Sequence, residues 1–111
     1  MMSLVKMTMI ESDLQSKCIK HLRQLRIYHI NIYGAGRCSK GAPDVIACIK
    51  GQFVAFEFKV GSNDMQSDQR IHRRRILSND GLHFTPRTFE EFKKIVEEVS
   101  ANGRIRVHNS E

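Results

Sequence analysis

Three charged residues within one short stretch define the chemistry this chain could perform. Asp44, Glu57 and Lys59 interrupt two apolar runs in GAPDVIACIKGQFVAFEFK, residues 41–59. Two carboxylates on one surface can share a hard divalent cation, about 2.0–2.6 Å from each oxygen. Oxygen donors of this kind select Mg²⁺ or Mn²⁺ over zinc. A lysine beside them can steady a negative oxygen or hold a water as nucleophile. Cation, water and ammonium together suit attack on a phosphodiester, where charge must be stabilised as it develops.

Whether the three converge depends on the hairpin that carries them. Reading 44–50 and 53–59 as strands leaves Gly51-Gln52 as a two-residue connection. That register pairs 50 with 53, 48 with 55, 46 with 57 and 44 with 59. Directly opposed residues share a face, so Asp44 stands over Lys59 and diagonal to Glu57, about 7–8 Å away. Val45, Ala47, Ile49, Val54, Phe56 and Phe58 make the other face apolar throughout. A simpler alternative is a solvated face with a weak Asp44–Lys59 ion pair. Ile46, Cys48, Phe53 and Ala55 share that face, however, so the charges cluster at one end of a semi-buried surface.

Other elements must position this hairpin. Thr8 and Glu11 have capping-box spacing and open a helix running to about Arg26, with Leu14, Cys18, Leu22 and Leu25 inward. Glu11 lies on that same inward face. IYHINIY, residues 27–33, reads as a strand. A Gly-rich basic loop, GAGRCSKGAP, follows; it lacks the Lys-Ser/Thr of a P-loop and the third glycine of GxGxxG. After the hairpin come a helix over 65–78, with Met65, Gln69, His72 and Ile76 on one face, and a short strand at Leu82–Thr85. Thr88 and Glu91 cap a last helix with Phe89, Phe92, Val96 and Val99 inward; the tail from residue 101 suits an edge strand or a mobile end. The order α-β-β-β-α-β-α describes an α/β domain, a mixed sheet flanked by helices, occupying residues 1–111.

The chain is basic, with 18 Lys+Arg against 12 Asp+Glu in 111 residues, a balance suited to a polyanionic partner such as DNA. Arg70, Arg73 and Arg74 share a helical face and suit phosphate contact, as do Arg37 and Lys40 in the loop before Asp44. Such charge runs are otherwise solvated outer faces. Three cysteines without a CxxC pair read as reduced thiols, and scattered histidines give no zinc spacing. With no signal-like apolar run and no membrane-length stretch, the expectation is a cytoplasmic protein.

Pro43-Asp44 followed by Glu57-Phe58-Lys59 resembles the PD-(D/E)xK nuclease superfamily. The wider context resembles its VRR-NUC family, the virus-type replication-repair nuclease module. That context comprises Glu11 early in the first helix, GAPDVI, FEFK closing the hairpin, Gln69 and TFEEFKKIVEE, across roughly residues 10–99. The resemblance implies a restriction-endonuclease-like core in a stand-alone, phage-like form, acting in a phage's bacterial host cell. It also implies a Mg²⁺- or Mn²⁺-dependent endodeoxyribonuclease. Asp44, Glu57 and the backbone carbonyl of Phe58 would be its metal ligands and Lys59 its catalytic lysine. Glu11 would assist the metal or its waters, and Gln69 would lie near Lys59. Gln66-Ser67-Asp68 departs from the family's Ser/Thr-Pro-Glu stretch before that glutamine. Stand-alone members resemble Holliday-junction resolving enzymes, homodimeric and selective for branched DNA, whereas members fused to larger repair proteins act on flaps. A flap- or end-directed nuclease and a non-catalytic DNA-binding module are the alternatives.

Overall fold

The computed structural model describes residues 10–32 and 39–102 of the chain. Helix α1, Glu11–Gln24, is followed by strands β1 (Tyr28–Asn31), β2 (Val45–Ile49) and β3 (Gln52–Phe56). Helix α2 (Ser67–Ser78), strand β4 (Leu82–Phe84) and helix α3 (Phe89–Asn102) complete the order. The four strands form one mixed sheet in the order β1-β2-β3-β4, antiparallel except for the parallel β3–β4 pair. Element types and order agree with the α/β expectation.

Alternation along the strands divides the sheet into two unlike faces. Val45, Ala47, Ile49, Val54, Phe56 and Leu82 point one way and join Leu14, Cys18, Leu22, Phe92, Val96 and Val99 in a single buried core. Phe58, beyond the end of β3, completes it, with its ring 5.9 Å from that of Phe92. Helices α1 and α3 therefore cover this face. Helix α2 lies over part of the opposite face, where Gln69 reaches Glu57 and Arg73 reaches the His83 carbonyl.

The hairpin register differs from the expected one. Ile49 pairs with Gln52, Cys48 with Phe53 and Val45 with Phe56, so the connection is Lys50-Gly51 rather than Gly51-Gln52. Both connecting residues have positive φ (52° and 81°), the type I′ pattern whose twist matches the flanking strands and which favours glycine in second place. Gln52 is buried in the strand instead, and its amide donates to the Asp80 carbonyl at 3.1 Å. Continuing the register by one residue sets Asp44 opposite Glu57, not Lys59. The partner has slipped by two, so every side chain keeps its face.

The helix ends also depart from expectation. Helix α1 begins at Glu11 with Ile10 as N-cap and no side-chain cap, so Glu11 occupies the first helical position rather than the third that a capping box requires. Thr8 lies outside the described residues. The helix stops in a Schellman arrangement: Arg26 takes φ 58°, and the Ile27 and Arg26 N–H groups donate to the carbonyls of Leu22 and Arg23. Leu25 is thereby turned out and exposed, while Gln15 takes a buried place on the inward stripe. Met65 precedes α2 rather than belonging to it. The Thr88 cap is present: its hydroxyl accepts from the Glu91 N–H at 3.0 Å, although the Glu91 carboxylate accepts from the Arg87 N–H. The tail beyond residue 102 lies outside the described residues, as do Arg37 and the first half of the Gly-rich loop.

Candidate active site

Asp44 stands where three strands meet. Its carbonyl accepts from the Ile32 N–H at 2.8 Å and its own N–H donates to the Phe56 carbonyl at 3.0 Å. Its Oδ2 accepts from the Phe58 N–H at 2.9 Å, replacing the backbone acceptor that a continuing strand would have offered. Beyond β3 the chain stays extended, because Glu57 and Lys59 donate their N–H groups to the carbonyls of Phe84 and Pro86. Odd-numbered residues thus bond toward β4, and Phe58 turns its peptide groups toward Asp44.

This arrangement places Asp44, Glu57 and Lys59 together on the face opposite the core, all three buried. Their convergence agrees with the sequence, although the closest pair is the two acids. The two carboxylates are near enough to share a proton. Glu57 is pushed up to about 8, first by burial and then by the Asp44 charge, against the pull of Lys59. Burial also raises Asp44, opposed by the Phe58 N–H, Glu57 and Lys59. Glu11 is raised by its own burial and by Asp44, and lowered by Lys59, so its carboxylate lies within the field of the group. Because Glu11 has no capping-box place, this field is its main distinguishing environment.

Gln69 holds one of the acids. Its Oε1 accepts from the Gln66 N–H at 2.7 Å, which directs Nε2 outward to donate to Glu57 Oε2 at 2.9 Å. One amide thus closes the first turn of α2 and aims a carboxylate. The other Glu57 oxygen, Oε1, is buried without a hydrogen-bond partner. With both acids ionised that oxygen is left unsatisfied, a cost that a proton shared with Asp44 or a bound cation would remove. Lys59 is in neither of the ion pairs found among the described residues, Lys40–Asp68 and Arg70–Asp64.

The loop before Asp44 is clamped to α2. His72 Nε2 lies 3.1 Å from the Lys40 carbonyl and 3.3 Å from Ser39 Oγ. Gly41, with φ +86°, passes so close to α2 that a Cβ would sit 2.6 Å from the Asp68 backbone. This clamp is nonlocal and left no mark in the sequence beyond a glycine and a histidine. The same holds for Gln15, whose amide donates to Asn31 at 3.3 Å one helical turn from Glu11.

The basic residues separate into different roles. Arg70 and Arg74 are exposed, with Arg70 bound to Asp64 at 3.0 Å. Arg73 does not stand beside them: it is half-buried and donates to the His83 carbonyl at 2.7 Å, tying α2 to β4. Lys40 is almost fully exposed, 3.9 Å from Asp68.

The donor set fits a hard divalent cation with an incomplete protein shell. Among the described residues no group of three or more His, Cys, Asp or Glu could hold a metal unaided. Mg²⁺, however, is characteristically bound through one or two carboxylates, with water and substrate phosphate filling the rest. Two close buried acids, one with a bare oxygen, suit that mode. Among the described residues no helix is long and apolar enough to cross a membrane. The chain matches no model of a known protein family, and no curated protein is significantly similar to it.

Proposed function

We propose that this protein is a Mg²⁺- or Mn²⁺-dependent DNA endonuclease that hydrolyses phosphodiester bonds in branched DNA. The observation that carries the reading is the buried Asp44–Glu57 pair, one oxygen unpartnered, beside Lys59 on one sheet face. Such a pair favours the fold only while protonated, and two ionised carboxylates here oppose folding unless a cation joins them. The α-β-β-β-α-β-α order and the pattern Pro43-Asp44, Glu57-Phe58-Lys59 support assignment to the PD-(D/E)xK nucleases and their VRR-NUC family.

In this reading Asp44, Glu57 and the Phe58 carbonyl hold the cation. The cation supplies an acidified water and a polarised phosphoryl oxygen. Gln69 keeps Glu57 in one rotamer, so the ligand geometry is set before substrate arrives. Lys59 offers its ammonium to the attacking water or to a non-bridging phosphate oxygen, stabilising negative charge as it grows. Glu11, whose carboxylate lies in the field of Asp44 and Lys59, would assist the metal or its waters. Lys40, Arg70 and Arg74 neutralise flanking phosphates. A homodimer would present two such sites to the two symmetric strands of a four-way junction.

Cleavage of labelled four-way, flap and linear duplex DNA with Mg²⁺ or Mn²⁺ tests the reading. The expected result is metal-dependent cutting of the four-way substrate that Glu57→Ala abolishes. Equal cutting by wild type and Glu57→Ala sinks the site. Preferential flap cutting replaces the junction by a flap substrate. Binding with no cutting of any substrate leaves a DNA-binding module.

A further inference from the structure

The face that carries the acids continues into an exposed apolar surface. Tyr28, Cys48 and Phe53 form one cross-strand row, and Ile30, Ile46 and Ala55 form the next. Asp44 and Glu57 follow in the same progression. Tyr28 is 71% exposed, Ile30 50% and Phe53 45%, a large apolar exposure for strand residues. Helix α2 covers this face at Glu57 through Gln69, and farther along, beside Phe53, it leaves a groove of about 410 Å³ lined by Phe53, His72, Arg75, Ile76, Asn79 and Gly81.

The groove has a built shape and a charge. Its floor depends on Gly81: a Cβ there would lie 2.8 Å from Ile76 and 3.1 Å from the Phe53 ring. One wall is the Phe53 ring and the other the cationic side of α2, where Arg75 is exposed. Flat aromatic surface beside a guanidinium is the combination on which an unpaired base stacks while its phosphate is neutralised. Phe53 lies four residues from Glu57 along an extended chain, about 13 Å. That distance is roughly the rise of four stacked nucleotides at about 3.4 Å each.

We propose that this groove binds an unpaired nucleotide of the substrate strand, its base stacked on Phe53 and its phosphate held by Arg75. The proposal rests on the nuclease reading for the identity of the strand and deepens it. In branched DNA the groove would favour bonds a few nucleotides from a base loosened at the branch, because a fully paired base must first leave its stack, at an energetic cost, to enter it. Cations on α2 favour this occupant over a second copy of the chain, which is itself basic.

The chain contains no tryptophan, so Phe53→Trp places a single reporter in the groove. Titration of the full-length variant with an eight-residue oligothymidylate in EDTA should quench its fluorescence saturably, and a blunt duplex of equal length should not. Phe53→Ala should weaken oligothymidylate binding roughly tenfold or more, measured by anisotropy. Arg75→Gln should weaken it further and flatten its salt dependence. Unchanged affinity in Phe53→Ala, or equal quenching by duplex, overturns the proposal. Quenching that follows protein concentration without DNA, with a matching rise in mass by light scattering, overturns it in favour of a self-association face. Binding is read without metal in both wild type and Glu57→Gln. Loss of the catalytic reading through failed cleavage therefore leaves the stacking result standing, and the reverse also holds.

Discussion

The Gln69 amide nitrogen lies 2.9 Å from Glu57 Oε2 while the same amide's oxygen accepts from the Gln66 N–H at 2.7 Å. A helix terminus and a candidate metal ligand are thus coupled through one side chain that cannot flip without losing both bonds. Gln69→Leu removes the cap and bares the second Glu57 oxygen. The cap alone is worth about 1 kcal/mol. Activity should fall further than stability, by roughly 10–100-fold. Parallel measurement of melting temperature and cleavage rate separates the two effects, and equal modest losses would leave Gln69 a cap only.

Acidity makes the metal-free protein sensitive to pH in an unusual direction. Glu57 rises from an ordinary 4.5 to about 8, and Asp44 is raised as well, so the folded state prefers both protonated. Their contribution to stability is complete below the unfolded value near 4.5 and is lost as pH climbs toward 8. Denaturant midpoints in EDTA should therefore decline across that interval, and Glu57→Gln should flatten the decline. Mg²⁺ or Mn²⁺ should raise the midpoint more at pH 8 than at pH 6. Calorimetry in buffers of different ionisation enthalpy should register protons released on binding. A midpoint in EDTA that rises steadily with pH would contradict the buried pair.

Two thiols should differ sharply in reactivity. Cys18 is buried in the core and pushed up to about 12 by that burial, whereas Cys48 is exposed on the sheet. In a Cys38→Ser background at pH 8, a thiol reagent should modify one residue rapidly and the second only on unfolding. Mass mapping of the labelled peptide identifies which. Rapid labelling of Cys18 would mean that α1 does not seal the core.

Two glycines with similar φ should respond unequally to alanine. Gly51, φ +81°, has nothing within 4 Å of its missing Cβ, so Gly51→Ala meets only the left-handed backbone penalty of about 1–2 kcal/mol. Gly41, φ +86°, meets the Asp68 backbone at 2.6 Å, and Gly41→Ala must push the loop off α2. Both should lower the melting temperature, but only Gly41→Ala should also displace Asp44 and reduce turnover at saturating substrate. Equal turnover in the two variants would detach the loop clamp from the site.

Much of the site was legible because β structure has a period of two. The observed hairpin register differs from the expected one by two residues, yet Asp44, Glu57 and Lys59 share one face, since only an odd slip exchanges faces. The turn sits one residue earlier than its glycine suggests, because Lys50 carries a positive φ that its residue type does not advertise. Leu25 followed the apolar spacing but fell outside, because the Schellman stop at Arg26 ended the helix first. Arg73 looked like its neighbours in sequence. Its partner, a carbonyl on β4, is set by tertiary packing that no local pattern encodes. Nor does any spacing rule foretell that His72 would grip the carbonyl of a residue 32 positions earlier.

The hydrogen bonds around Asp44 carry a consequence for how the protein would lose activity. Ile32, Asp44 and Phe58 each surrender an amide proton, or accept one, at a single residue near the ends of β1, β2 and β3. These bonds can open while the core beneath Phe56 and Phe92 stays shut, because sub-global openings require less free energy than complete unfolding. The amides of Ile32, Asp44 and Phe58 should exchange with deuterium together, and faster than those of Val54 or Val96. Loss of the proposed activity on warming would then precede melting, with the site failing as one frayed corner of an intact sheet.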